Sequence, residues 1–404
     1  MAIVKKLYDY TESDFYKAEL MKNYEISEFI NNFKQFIEIK QFQDSNLLSF
    51  KRKTAQQYVG IINYKNKIII EIPTIIPTEK ILQIWILTHN NLDFKIFDEI
   101  NSYSVSKTSI LYLIELYLLS LNTLIKSGLN KSYISITKDL KRIKGKINIR
   151  RTIQNNLKNC GIKINCAYKE FTEDILLNQI IKFCLIKLSY IADFDQKSKI
   201  KKYLSYFNKI SNLKRINLTI FNRITYHRLN KKYELIHLLS KFIIENSFID
   251  NKKGRFNFFN FLIDINSLFE KFVRNLLDKF KPPEYFIQKR EKIYNSENFF
   301  KLKPDIIIKK NEKIVLTLDC KFKSKVKRDD KFQIVTYGNF FNFDKGVLIY
   351  PENASNIDPQ LVKINPIKIN QQGREFRILI KLIDLEKLDE ISLKKFSEDI
   401  FKLC

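Results

Sequence analysis

Asp305, Asp319 and Lys321 are the residues whose types and spacing point most directly to chemistry. Apolar runs at 306–308 and 314–318 flank a polar turn of Lys310, Asn311 and Glu312, the pattern of a β-hairpin. Side chains alternate faces along a strand, so Thr317, Asp319 and Lys321 share one face. Leu316, Leu318, Cys320 and Phe322 share the other, which is the expected core face. Hairpin pairing can bring the Asp305 carboxylate near Asp319. Two converging carboxylates repel unless a cation sits between them. Mg²⁺ suits such oxygen ligands and keeps positions open for water and phosphate. A lysine two residues beyond Asp319 points into the same site, where its amine can orient or deprotonate a water and stabilise charge on a phosphate. These groups together suit phosphodiester hydrolysis.

A D-x-K tripeptide is common, and on a solvent-facing strand it usually carries no chemistry. Its context strengthens it here. Pro304 and Asp305 open the preceding strand, and the tripeptide ends an otherwise apolar one. The helix that follows carries Gln333 and Tyr337, four apart and so on one face. The elements that must position these groups are legible too. Ile265, Leu268, Phe269, Phe272, Val273, Leu276 and Leu277 predict an amphipathic helix over 264–279, ended by Pro282 and Pro283. Strands are expected at 285–293, 305–309 and 313–323, a helix at 330–341, and a strand at 346–350 stopped by Pro351.

The whole chain has 404 residues, which predicts two or three domains. We expect an α+β or α/β multidomain protein in three segments: a strand-rich N-terminal module (1–105), a mainly helical middle region (106–250) and the segment bearing the acidic pair (251–404). In the first, residues 61–62 and 67–73 read as two strands joined by a turn. In the second, Leu113, Leu116, Tyr117, Leu121 and Leu124 have helical spacing, with Gly128 as the stop. A second helical region covers 174–191, with further helices to about 246. Between them lies the densest basic stretch, in which Lys141, Arg142, Lys144, Lys146, Arg150 and Arg151 are candidate phosphate contacts.

Lys and Arg number 71 against 44 Asp and Glu, a formal net charge of +27. The abundance of Lys, Ile and Asn matches an AT-rich genome, so part of that charge is a solvated face. The remainder favours a polyanionic partner, nucleic acid before membrane. Eight Gly and eight Pro exclude collagen-like and linker-dominated chains. Five cysteines without a CxxC pair exclude a zinc ribbon and a disulfide framework. No signal peptide is expected, and the apolar run at 110–124 is too short to span a bilayer, so a cytoplasmic location is the default reading. His89, His227 and His237 are scattered and read as structural.

The Pro304-Asp305, Asp319-Cys320-Lys321 and Gln333-x-x-x-Tyr337 pieces resemble the PD-(D/E)xK nuclease superfamily, in its RecB-like branch. More narrowly, the chain resembles the McrC family, the nuclease subunits of McrBC modification-dependent restriction systems. The pieces that carry this likeness occur in a shared order. They are Gly128-Leu129 and Tyr133 leading to 143–147, Cys166 with 171–174 and Leu177-Asn178, 267–273, the hairpin, Gln333 with Tyr337, and 346–351. The resemblance implies a nuclease domain over 251–404, in which Asp305 and Asp319 hold Mg²⁺, joined by the Cys320 carbonyl, while Lys321 supports the attacking water. It implies an additional carboxylate from the preceding helix, Glu270 or alternatively Asp264. Gln333 and Tyr337 would contact DNA or brace the site. It further implies that the N-terminal part docks on a McrB-like AAA+ GTPase hexamer, which uses the GTP, and that the substrate is double-stranded, methylated DNA. The chain lacks a GxxxxGK[ST] loop, consistent with a separate NTPase. Two alternatives stand beside this reading: a catalytically inactive DNA-docking or GTPase-activating accessory subunit, and a related nuclease working with a different motor.

Overall fold

The computed structural model describes residues 3–6, 16–17, 37–42, 45–50, 57–64, 68–72, 75–91, 94, 109–159, 163–213, 216–249, 256–259, 261–288, 293–294, 301–323, 326–341, 343, 345–352, 367–371 and 374–404. The principal elements begin with strands β1 (Ile3–Lys6), β2 (Tyr58–Tyr64) and β3 (Ile68–Ile72) and helices α1 (Thr78–His89) and α2 (Ser109–Lys126). Next come β4 (Ser132–Leu140), β5 (Lys146–Ile147), α3 (Ile149–Asn159), β6 (Ile164–Thr172), α4 (Leu176–Leu188), α5 (Phe194–Tyr206) and α6 (Glu234–Glu245). The chain continues through β7 (Phe261–Asp264), α7 (Ile265–Phe280), β8 (Tyr285–Gln288), β9 (Ile306–Lys310) and β10 (Lys313–Cys320). It ends with α8 (Arg328–Phe341), β11 (Lys345–Glu352), β12 (Ile367–Gln371), β13 (Arg374–Asp384) and α9 (Glu390–Phe401).

These elements form two compact units, one of Met1–Leu113 with Asn257–Cys404 and one of Ile114–Phe256. The three segments read from the sequence thus become two units, because the outer segments share one fold. Strand β7 completes the N-terminal sheet by pairing antiparallel with β2, with Phe261 opposite Ile61 and Asp264 opposite Tyr58. Helix α7 is tied to α1, where the Asn275 amide donates to the Thr88 carbonyl at 3.0 Å. The expected pair at 61–72 is present as β2 and β3, which pair antiparallel.

The unit's larger sheet has six strands in the order β8-β9-β10-β11-β13-β12. The pairs β9/β10 and β12/β13 are antiparallel, whereas β10/β11 and β11/β13 are parallel. Strand β11 runs through Pro351 to Glu352 rather than stopping before the proline. Helix α7 starts where the Asp264 side chain accepts from the Ser267 amide at 3.0 Å, an N-cap that satisfies an otherwise orphan donor. Its expected apolar stripe, including Phe269, Phe272 and Leu276, is buried, each such side chain contributing about 1.5–3 kcal/mol.

Consecutive residues beyond β10 go to opposite helices. The Phe322 ring lies 5.6 Å from Phe269 of α7, whereas the Lys321 amine meets Gln333 of α8. Both faces of the strand are therefore covered. Thr317 and Asp319 are as fully buried as Leu316 and Leu318, which corrects the expectation of a single core face. Ile334, Val335 and Tyr337 of α8 pack on Leu348, Tyr350, Phe376 and Ile378 of the sheet. Two glycines permit this close approach. A Cβ on Gly338 would meet the Phe376 ring at 1.9 Å, and one on Gly346 would meet Ile334 at 2.5 Å.

The second unit is helical around α4 and α6, but it also holds an antiparallel sheet in the order β4-β6-β5. Its core is tied by polar side chains. The Tyr233 hydroxyl donates to Asn178 Oδ1 at 2.7 Å, and buried His237 reaches the Tyr226 hydroxyl at 2.9 Å and the Leu177 carbonyl at 3.0 Å. Burial pushes the His237 imidazole down to about 4, so it stays neutral and structural. No helix among the described residues is long and apolar enough to cross a membrane.

Candidate active site

The C-terminal end of β10 carries the acidic pair. Ile306 of β9 stands opposite Leu318 of β10. Carried one residue further, that antiparallel register sets Asp305 opposite Asp319. Asp305 is 6% exposed and Asp319 is 0% exposed, so both carboxyls have left bulk water. Asp305 Oδ2 accepts the Cys320 amide at 3.0 Å, which fixes it against the end of β10.

The Lys321 ammonium lies 2.8 Å from Asp319 Oδ2 in an ion pair. Neither Asp319 oxygen has a directed hydrogen-bond partner among the described residues, and Oδ1 has no ion-pair contact either. Burial, reinforced by the Asp305 charge, pushes the Asp319 carboxyl up to about 7, with Lys321 pulling the other way. Burial disfavours charge on Lys321, but the pairing with Asp319 outweighs it and holds the amine above its ordinary range. Lys321 is thus an ammonium at neutral pH.

This arrangement fits a divalent cation. Two converging buried carboxyls repel when both are ionised, and the single ammonium offsets only one of them, so a cation would relieve what remains. Among the described residues no cluster of three or more His, Cys, Asp or Glu side chains has metal-holding geometry. The donor set is two carboxylates with room for a backbone carbonyl, which suits an ion that keeps its waters. Burial and then the neighbouring carboxylates push the Cys320 thiol well up, so it remains a neutral core group and only its carbonyl is available as a ligand.

Gln333 and Tyr337 are not free to reach a ligand. Lys321 Nζ donates to Gln333 Oε1 at 3.0 Å. Gln333 Nε2 donates to the Tyr337 hydroxyl at 2.8 Å, which donates to the Lys303 carbonyl at 3.2 Å. They brace the amine. Glu270 is buried on α7, where Arg274 Nη1 stands 3.5 Å from its Oε1, and its charge acts on Cys320. Asp264 is occupied as the α7 cap and by Gln57 Nε2 at 2.9 Å.

The sequence reading missed Asp330. It is 4% exposed and takes Lys323 at 2.7 Å, the Lys327 amide at 3.0 Å and the Tyr350 hydroxyl at 2.8 Å. Burial opposes its ionisation, but these donors hold its carboxyl below the usual range. Its signal was the Asp329-Asp330 pair in the first turn of a helix, which is easily read as ordinary dipole complementarity.

Lys141, Arg142, Lys144, Lys146, Arg150 and Arg151 belong to the second unit and are all exposed. Lys144 lies 4.1 Å above the Tyr168 ring. The basic side chains alternate with exposed Ile143, Ile147, Ile149 and Ile153, so the surface is mixed rather than purely cationic.

Comparison with known proteins places this chain in a family. A model described as McrBC 5-methylcytosine restriction system component matches residues 53–351. The Escherichia coli (strain K12) protein described as type IV methyl-directed restriction enzyme EcoKMcrBC is 26% identical over 253 residues, covering 59% of this chain and 71% of that relative. A solved chain from a half-complex of the tetradecameric assembly of Thermococcus gammatolerans McrB AAA+ hexamers with bound McrC superposes with a TM-score of 0.67. That match covers 100% of both chains at 17% identity, a likeness of fold. The resemblance drawn from the motifs is borne out, and the chain belongs to the McrBC family of 5-methylcytosine restriction system components.

Proposed function

We propose that this chain is the Mg²⁺-dependent DNA endonuclease subunit of a McrBC-type system, and that residues 251–404 are its PD-(D/E)xK nuclease domain. The observation that carries the reading is the buried Asp305–Asp319 pair with an ammonium 2.8 Å from Asp319 Oδ2. Asp305, Asp319 and the Cys320 carbonyl would hold Mg²⁺, which when bound supplies Lewis acidity toward a phosphate oxygen and its water. Lys321, held as an ammonium, stabilises charge developing on the phosphoryl oxygens rather than removing a proton. Gln333 and Tyr337 fix where that charge sits. Asp319 must give up its proton for the cation to enter, which places the working range on the alkaline side of its titration.

The relative's half-complex pairs McrC with AAA+ hexamers, and we extend that partnership to this chain: a McrB-like GTPase hexamer would use the GTP and move the DNA. The exposed basic residues 141–151 would contact double-stranded DNA through phosphates, without reading sequence. A cleavage assay on methylated and unmethylated DNA, with and without Mg²⁺, partner and GTP, tests the reading. Cleavage that needs Mg²⁺ and is lost in Asp319→Ala is expected. Metal-independent cleavage, or none under any condition, would leave an accessory subunit as the better account.

A further inference from the structure

We propose that Asp330 is a positioning residue for the Lys321 amine, clamping the start of α8 against β11 and the segment after β10 so that Gln333 receives that amine. The inference rests on the nuclease reading for its purpose but on geometry for its content.

One buried carboxylate ties together three pieces of chain. Lys323, two residues beyond Lys321, places its ammonium 2.7 Å from Asp330. The Lys327 amide, just before α8, donates to Asp330 Oδ2 at 3.0 Å. Tyr350, on β11, donates its hydroxyl to the same oxygen at 2.8 Å. A helix cap alone would need only the amide, and it would sit in solvent. Three donors converging on one buried carboxylate offset its desolvation and fix its position.

What it enforces is the placement of one helix face. Asp330, Gln333 and Tyr337 lie three and four residues apart on α8, one above the other. With Asp330 anchored, Gln333 Oε1 stands 3.0 Å from Lys321 Nζ, and the Tyr337 hydroxyl reaches the Lys303 carbonyl at 3.2 Å, just before Asp305. The braced amine and the acidic pair therefore share a frame fixed from the first turn of the helix. Asp330 makes its hydrogen bonds to Lys323, Lys327 and Tyr350, and besides its charge, which also acts on Lys321, it acts through Gln333.

The test measures how fast the Lys321 amine is acylated in the full chain, read by mass spectrometry, so it does not depend on cleavage. Asp330→Asn and Gln333→Ala are each expected to raise the rate several-fold over wild type. Loss of the Asp330 charge alone would also raise it, by the same factor whatever residue 333 is. The positioning role predicts a smaller factor for Asp330→Asn in the Gln333→Ala background than in wild type. Equal factors in the two backgrounds, or no rise in Asp330→Asn, would overturn the proposal. Tyr350→Phe keeps the charge and loosens the clamp. It should give a smaller rise that vanishes in the Gln333→Ala background, and it carries the test if Asp330→Asn does not fold. In the Mg²⁺ cleavage assay, Asp330→Asn should lower kcat with little change in KM, with partial rescue by Asp330→Glu. A wild-type chain that never cuts DNA would defeat the nuclease reading while leaving the acylation result intact. A cutting wild type with additive acylation would defeat the positioning role alone.

Discussion

Asp319 at the end of β10 and Lys321 two residues on form an ion pair of 2.8 Å in which the Asp319 side chain is fully buried and the Lys321 side chain is 22% exposed. Of the two side chains, that of Lys321 alone has access to solvent.

Replacing Asp319 separates chemistry from structure. Asp319→Asn keeps the shape and removes the charge that would hold a cation, so cleavage should fall by about 10²–10³-fold or more. Binding to the GTPase partner and stimulation of its GTP hydrolysis should be retained. Equal loss of all three would mark Asp319 as a structural residue.

The pH dependence of stability follows from the raised Asp319 carboxyl. Its folded value, about 7, lies above its ordinary value of 3.8, so the folded state holds this proton more tightly than the unfolded chain. The group therefore stabilises the fold fully below the unfolded value, and the contribution is lost as pH rises through the folded one. The metal-free chain should lose Tm across this window, and Asp319→Asn should flatten the loss. Because cation and proton compete for the carboxylate, Mg²⁺ should raise Tm more at about pH 8 than at about pH 6. An Mg²⁺ effect independent of pH, or unchanged in Asp319→Asn, would contradict the assignment.

Gly338 offers a steric test of the helix placement. A Cβ there would press 1.9 Å from the Phe376 ring, so Gly338→Ala must shift α8 or the ring. Overpacking of this kind costs about 1–3 kcal/mol. We expect a lowered Tm and, because Gln333 rides on the same helix, a loss of cleavage larger than the stability change explains. An unaltered Tm would show that the sheet yields easily at Phe376.

Deletion of the first hundred residues should not give a clean, uncoupled nuclease. It removes β2, the partner of β7, and α1, which holds Asn275 of α7. The truncated chain should be poorly soluble or melt at a much lower temperature. A truncation with native Tm would show that the pairing of β2 with β7 contributes little.

The sequence by itself settled the local elements and nominated the candidate residues of the hairpin. Alternation in 313–320, the 3/4 spacing of α7 and the four-residue gap between Gln333 and Tyr337 are short-range patterns, set by backbone geometry within a few residues. They were enough to choose Asp305, Asp319 and Lys321 and to put Asp319 and Lys321 on one face. Tertiary structure decided the rest, because it depends on contacts between residues far apart in the chain. Only the folded sheet buries Thr317 and Asp319, since a central strand is covered on one face by α8, which follows it, and on the other by α7, more than thirty residues before it. Pairing of β2 with β7 and the contact of α1 with α7 join the two parts of the chain into one unit. Asp330 looked like any acidic residue at a helix start until Tyr350, twenty residues on, closed over it. The basic stretch remained a list of charges until the fold set exposed isoleucines between them.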